Sequence, residues 1–290
     1  MRNILVTGGA GFIASNLIEH ILEKDKKCFI YSIDNYSTGT KKNHIISKRV
    51  MYLKGDVIKI NNNKKINKIN FHIVYHFAEF SRIVPSFRRY EECWYTNSRG
   101  TFEIIKLCLK NKAKLIYSAS SSTIGNNKYL SPYSWTKYAN EETIKNFSKW
   151  FNLKYILVYF YNVYGPRQIR DGHMSAVIGI FEKQFLENKP LTIVKPGSQK
   201  RDFTHVKDIV EGTYIAAKRH NNKEFHLGSG INYTIKEVAK MFKHKIKYVP
   251  ERPGERFTSK SKTNIARKLL KYKTKQNLNK YIENFIKNRK

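Results

Sequence analysis

Acidic residues are scarce in this sequence: 22 aspartates and glutamates face 55 lysines and arginines across 290 residues, a formal charge of +33. Such an imbalance favours polyanions, anionic membrane surfaces or phosphorylated small molecules as partners. The surplus is mostly lysine interleaved with asparagine and isoleucine, as in residues 61–68, and it runs through the whole chain. That distribution reads as compositional drift on a solvated surface. With no arginine-rich arm and no nucleic-acid-binding module, no nucleic-acid partner is expected. Cysteine is equally sparse: Cys28, Cys93 and Cys108 are odd in number and lack CxxC spacing, which points to buried thiols rather than a disulfide framework. The nine histidines are scattered, so no metal site is expected. No apolar run approaches the roughly 18 residues of a membrane span. Residues 3–7 already read as a strand, so no signal peptide is expected and the chain is placed in the cytoplasm. There are no internal repeats.

What is present is a strand, a glycine turn and a helix at the start. Residues 3–7 are apolar and β-branched, the run stops at Gly8, and residues 16–22 take up helical spacing. Gly8 and Gly11 let the backbone approach a pyrophosphate, small Ala14 lets the helix lie close to the strand, and the helix N-terminus faces the anion. The next strand, 28–33, ends in Asp34, about twenty residues beyond the turn, where a carboxylate can hold a ribose diol. NAD is therefore expected over NADP, whose 2′-phosphate Asp34 would repel.

Further strands are expected at 50–53, 71–76, 114–117, 153–160 and 224–227, alternating with helices at 88–110, 131–151 and up to 219; residues 59–70 read as a basic surface helix with a loop. This order predicts an α/β fold, a Rossmann-like doubly wound parallel sheet with a smaller C-terminal lobe. The boundaries expected are 1–168 for the cofactor half, with the chain returning to it near 203–227, and 169–290 for the substrate lobe. In that lobe helices are expected near 175–187, 234–242, 263–270 and 278–287, with a short strand at 191–194.

A second signature lies at residues 131–137, SPYSWTK. Pro132 suits a first helical turn, and Tyr133 and Lys137 then share one face a turn apart. A free tyrosine titrates near pH ~10, and a fixed ammonium favours its phenolate. The serine cluster from Ser118 to Gly125 ends the strand before this helix.

The chain resembles the extended short-chain dehydrogenase/reductases, in particular the NAD-dependent nucleotide-sugar epimerase/dehydratase family. The resemblance spans nearly the whole sequence: residues 7–14, 34–35, 55–57, 76–78, Asn97, 118–125, 133–137, 162–167, 201–206 and 252–255. It implies Ser120, Tyr133 and Lys137 as the catalytic set. For NAD it implies Gly8, Gly11, Phe12, Ile13, Asp34, Asn35, Asp56, Val57, Phe77, Ala78, Asn97, Ser118 and Tyr161, with Tyr133 and Lys137 again. For the substrate, by resemblance a UDP-sugar, it implies Ser120, Asn162, Thr192, Arg201, Arg252 and Glu255. Asn97 would steady its helix and a water of the site.

Within the resemblance, what is missing separates the branches. The 4,6-dehydratases carry Asp-Glu after the catalytic Ser/Thr and the decarboxylases a Glu in the same turn, whereas here the places are Ser121 and Ser122. Neither can do carboxylate chemistry, which points to 4-epimerisation: Tyr133 takes a proton from a sugar hydroxyl, and hydride leaves and returns on the other face. Ile124 stands where a Tyr is usual. A homodimer through helices near 88–110 and 131–151 is also implied. Ser259, four places beyond Glu255, would leave room for an N-acetyl group. Glu79 reads either as a partly exposed loop carboxylate or as a substrate contact. The alternatives to an epimerase are another nucleotide-sugar oxidoreductase or dehydratase, or a non-catalytic NAD-binding scaffold with a basic RNA- or membrane-binding surface.

Overall fold

The computed structural model describes residues 2–255 and 261–288. Its main sheet is parallel throughout, with strands β1 (Arg2–Thr7), β2 (Cys28–Asp34), β3 (Val50–Lys54), β4 (Ile73–His76), β5 (Lys114–Ser120) and β6 (Tyr155–Phe160). Five further strands follow: β7 (Val163–Tyr164), β8 (Leu191–Val194), β9 (Lys200–Asp202), β10 (Thr204–His205) and β11 (Lys223–Leu227), and after them β12 (Asn232–Thr234) and β13 (Ile246–Val249). β11 joins the main sheet, whose order is β11-β6-β5-β4-β1-β2-β3. Burial on both faces explains the unbroken apolar runs of the central strands. In β1, Ile4 and Val6 enter the cluster on one face and Leu5 the cluster on the other, all at most 2% exposed.

The helices are α1 (Phe12–Lys24), α2 (Ile83–Ser86), α3 (Tyr90–Trp94), α4 (Gly100–Asn111), α5 (Pro132–Phe151), α6 (Val177–Leu186) and α7 (Val206–Arg219). Three more close the chain: α8 (Ile235–Met241), α9 (Asn264–Leu270) and α10 (Leu278–Lys287). α1 and α7 cover one face with Leu17, Ile21, Ile209 and Val210; α4 and α5 cover the other with Ile104, Ile105 and Ile144. A separate core holds Phe181, Phe185, Ile193, Val238 and Ile282 from α6, β8, α8 and α10, with Phe242 directly after α8. Small ladders serve this region: β8 with β13, β9 with β12, and β7 with β10. The strand order reverses between β1 and β4, and at such a point the carboxyl ends of the strands leave a crevice.

Three local expectations are corrected. The helix expected at 88–110 is broken into α3, a π-helical turn at Tyr95–Arg99 and α4. Residues 59–70 are not a surface helix: 3-10 turns at Val57–Asn62 and Ile66–Lys68 tuck Val57, Ile60 and Ile66 into the core beside α4. α1 begins at Phe12, directly after the glycine turn, rather than at 16. Cys28, Cys93 and Cys108 are buried free thiols. Among the described residues no helix is long and apolar enough to cross a membrane.

Candidate active site

A cleft of about 760 Å³ opens at the carboxyl ends of the sheet and extends to the region around β8 and β13. At its first end Gly8 has φ +73°, and a Cβ there would lie 2.9 Å from the Ala78 backbone nitrogen, so only glycine fits the turn. Gly11 precedes α1, whose N-terminus has no side-chain cap and no acidic residue in its first turn. Those amides are left for an anion. Asp34 closes β2 with one oxygen accepting from the Ala10 amide at 2.9 Å and the other from the Tyr36 amide at 2.7 Å. Burial pushes its carboxyl above the usual range, against the pull of these two amides. This glycine turn, uncapped helix end and carboxylate suit a dinucleotide.

The strap leaving β4 is tied to β1. The Phe77 and Ala78 amides both donate to Thr7 Oγ1 at 3.1 Å, and Thr7 Oγ1 is 2.8 Å from His76 Nδ1. Burial holds the His76 imidazolium down to about 4, so the ring is neutral at pH 7.

α5 brings the phenol and ammonium to the cleft. Ser131 caps it by accepting from the Ser134 amide, with Pro132 in the first turn. Tyr133 is 8% and Lys137 3% exposed, and both line the cleft. The Tyr133 amide donates to Ser86 Oγ at 3.2 Å, and Thr136 Oγ1 donates to the Tyr133 carbonyl at 3.0 Å. Lys137 donates to the Ser118 carbonyl and to Glu79, with its Nζ 4.4 Å from the Tyr117 ring centroid. From β5 and the turn after it, Ser118, Ser120, Ser121 and Ser122 line the same cleft. Ser122 Oγ donates to Ser120 Oγ at 2.9 Å.

The far end is basic. Arg201 donates to Glu255 at 2.5 Å, and Arg252 donates to the other Glu255 oxygen at 2.9 Å. Asn162 donates to the Asp202 carbonyl at 2.9 Å, and Thr192 Oγ1 accepts from Gln184 at 2.8 Å. Asn162, Thr192, Arg201, Arg252 and Glu255 line the cleft, as do Phe12, Ile13, Asn35, Val57, Phe77 and Ala78 at the first end.

Three expected residues are not among those that line the cleft. Asn97, fully buried, bonds the Phe80 backbone in both directions, its Oδ1 accepting at 2.7 Å and its Nδ2 donating at 3.1 Å. Tyr161 is buried with its hydroxyl 2.7 Å from His226 Nδ1. Asp56 caps a 3-10 turn at Ile58 and accepts from Asn35 at 3.0 Å. Asn97 and Tyr161 are buried and bonded within the fold, whereas Asp56 is partly exposed and its carboxylate can still accept further hydrogen bonds. Ser259 lies outside the described residues.

Sequence reasoning left Glu79 open and missed Arg82 and Glu141. Glu79 is no exposed loop carboxylate: its side chain is 3% exposed. Arg82 Nε donates to the Met174 carbonyl at 2.8 Å within the cleft lining, and burial lowers its pKa. Glu141, one turn beyond Lys137, accepts from Thr123 at 2.9 Å and Tyr159 at 2.8 Å. Its place at i+8 from Tyr133 was the available signal.

The comparisons agree with this architecture. A family model described as NAD-dependent epimerase/dehydratase matches residues 4–228. A protein of Methanocaldococcus jannaschii with the provisional name UDP-glucose 4-epimerase is 30% identical over 84% of this chain and 82% of its own length. A UDP-N-acetyl-α-D-glucosaminuronate decarboxylase of Bacillus cytotoxicus is also 30% identical, over 82% of this chain and 78% of its own. The crystal structure of UDP-glucose 4-epimerase from Thermotoga maritima with UDP-glucose superposes with a TM-score of 0.91 at 26% identity, covering 98% of this chain and 97% of that one. With its sheet order, glycine turn and tyrosine–lysine helix, the chain belongs to the NAD-dependent epimerase/dehydratase family.

Proposed function

We propose that the protein is a 4-epimerase of a UDP-sugar, with UDP-glucose and UDP-galactose or their N-acetylated forms as the substrates. One observation carries the reading: Ser120, Tyr133 and Lys137 line one cleft, and the turn beside them offers Ser121 and Ser122 where elimination would need carboxylates. The nearby carboxylate, Glu79, is engaged by Lys137.

When bound, NAD supplies the acceptor and donor of hydride. Tyr133 takes the proton of the sugar C4 hydroxyl and later returns it to the 4-keto oxygen. Ser120 donates a hydrogen bond to that oxygen, and the Lys137 ammonium favours the phenolate. Gly8, Gly11 and the α1 N-terminus hold the cofactor pyrophosphate, and Asp34 the ribose. Arg201 and Arg252, with Asn162, Thr192 and Glu255, receive the nucleotide diphosphate and its ribose, a task suited to arginine. In this reading residues 1–168 and the returning segment 203–227 form the cofactor half, and the remainder of 169–290 the sugar-nucleotide half.

A homodimer through α4 and α5 belongs to the same proposal. Phe147 of α5 packs on Phe102 of α4 and on Trp150 and Phe151, and the last two are 64% and 56% exposed. An aromatic patch of that kind suits an interface.

The test is incubation with each UDP-hexose, its 2-acetamido form and its C6 acid, followed by separation of products. The reading expects interconversion of C4 epimers at constant mass. Loss of water or of carbon dioxide would assign the chain to the dehydratase or decarboxylase reading instead.

A further inference from the structure

We propose that Glu79 is a positioning residue that acts through Lys137, holding its ammonium in the cleft and setting the pH range in which Tyr133 serves as base. The proposal rests on the epimerase reading and deepens it. Glu79 and Lys137 are a buried pair, 3% and 4% exposed at their side chains. Glu79 also accepts from Tyr117 OH at 2.7 Å and from Ser118 Oγ at 2.8 Å, while Lys137 gives a further bond to the Ser118 carbonyl. One carboxylate is thus fixed by three donors from two elements. Such a network restricts the lysine side chain to one place before any ligand enters. It also places a negative charge against the ammonium that would otherwise act on the phenol alone, and the pair as a unit carries no net charge.

Other groups face this pair. From β4, His76 is neutral at pH 7, because burial holds it down to about 4. From β5, burial and then Glu79 push the Tyr117 phenol well up, and from α3 burial raises Cys93 to about 11. From the segment after β4, Arg82 interacts with Tyr133. From α5 itself, burial raises Glu141 to about 7, with Lys137 among the charges that oppose the shift. Since Glu141 titrates in the neutral range, a pH–rate profile is paired with a readout confined to Tyr133. Difference ultraviolet titration between a protein and its Tyr133→Phe form counts that one phenolate.

Glu79→Gln removes the charge and keeps the shape. It is expected to move the acidic limb of kcat/KM to lower pH by about one unit, since a carboxylate paired with the ammonium offsets the positive charge that favours the phenolate. The basic limb falls as well, because the ammonium has lost its partner. The Tyr133 difference titration moves in the same direction. Glu79→Ala, a second variant should the amide pack badly, shifts both in the same sense. Tyr117→Phe, which removes a hydrogen bond to Glu79 and leaves its charge, keeps both limbs in place. The proposal is overturned if Glu79→Gln and Glu79→Ala lower kcat at every pH without moving the limbs or the titration, or if Tyr117→Phe moves them equally. Should no UDP-sugar turn over, that outcome counts against the epimerase reading, and the difference titration still decides the role of Glu79.

Discussion

Tyr133 is fixed through its own backbone, by Ser86 at its amide and Thr136 at its carbonyl, so its ring can be altered without disturbing α5. We predict that Tyr133→Phe lowers kcat by ~10²–10⁴-fold, the usual contribution of a positioned proton-transfer group, while NAD affinity measured by calorimetry changes little. A parallel loss of NAD binding would mean that the phenol holds the cofactor rather than the proton. Glu141 makes a separate prediction about stability. Its folded pKa is raised to about 7 from 4.5, chiefly by burial. A carboxyl raised on folding favours the folded state while protonated, and that contribution is lost as pH rises through the folded value. The roughly 2.5-unit gap corresponds to ~3 kcal/mol. Urea unfolding of the protein and of Glu141→Gln should therefore show the parent losing ground to the variant by about that amount between pH 4 and pH 8. Parallel profiles would contradict it. That Tyr133 and Lys137 share a face was legible from helical spacing, whereas Ser120 was singled out of its serine cluster by the family resemblance. Glu79 was not legible, since a lone carboxylate in a loop reads as solvated until the strands that bury it are assembled.

At the scale of elements, α5 depends on its first turn. Ser131 is 5% exposed and accepts from the Ser134 amide at 3.1 Å, so Ser131→Ala should cost about 1 kcal/mol in chemical denaturation. No change in stability would show that the cap is dispensable. The central strands were readable because parallel strands buried on both faces are continuous apolar runs. The break between α3 and α4 was not readable. The stretch from Tyr95 to Arg99 has no proline or glycine, and what accompanies the π-helical turn is tertiary: Asn97 reaches across to the Phe80 backbone and Thr136. Such a turn follows a partner distant in sequence, and π-bulges often lie beside functional sites. The same reasoning covers Ile60 and Ile66, whose burial under α4 no local pattern in a lysine-rich stretch announces.

For the whole molecule, the charge of +33 and the aromatic patch on α4 and α5 act in opposite directions. Self-repulsion is screened by salt, over a Debye length of about 8 Å at physiological ionic strength. Sedimentation should therefore find a dimer that tightens as salt rises, and Trp150→Asp should sediment as a monomer. A parent chain that is monomeric at every salt concentration would refute the dimer. The family was legible from motifs spread along the chain; the sugar was not, because the cleft is also lined by side chains such as Arg82 that no motif contains. In a 4-epimerase, hydride leaves and returns at one carbon. UDP-glucose carrying deuterium at C4 tests it directly. We expect UDP-galactose with the deuterium still at C4 and no exchange with solvent; deuterium lost to water, or found at C6 of a dehydrated product, would rule out 4-epimerisation.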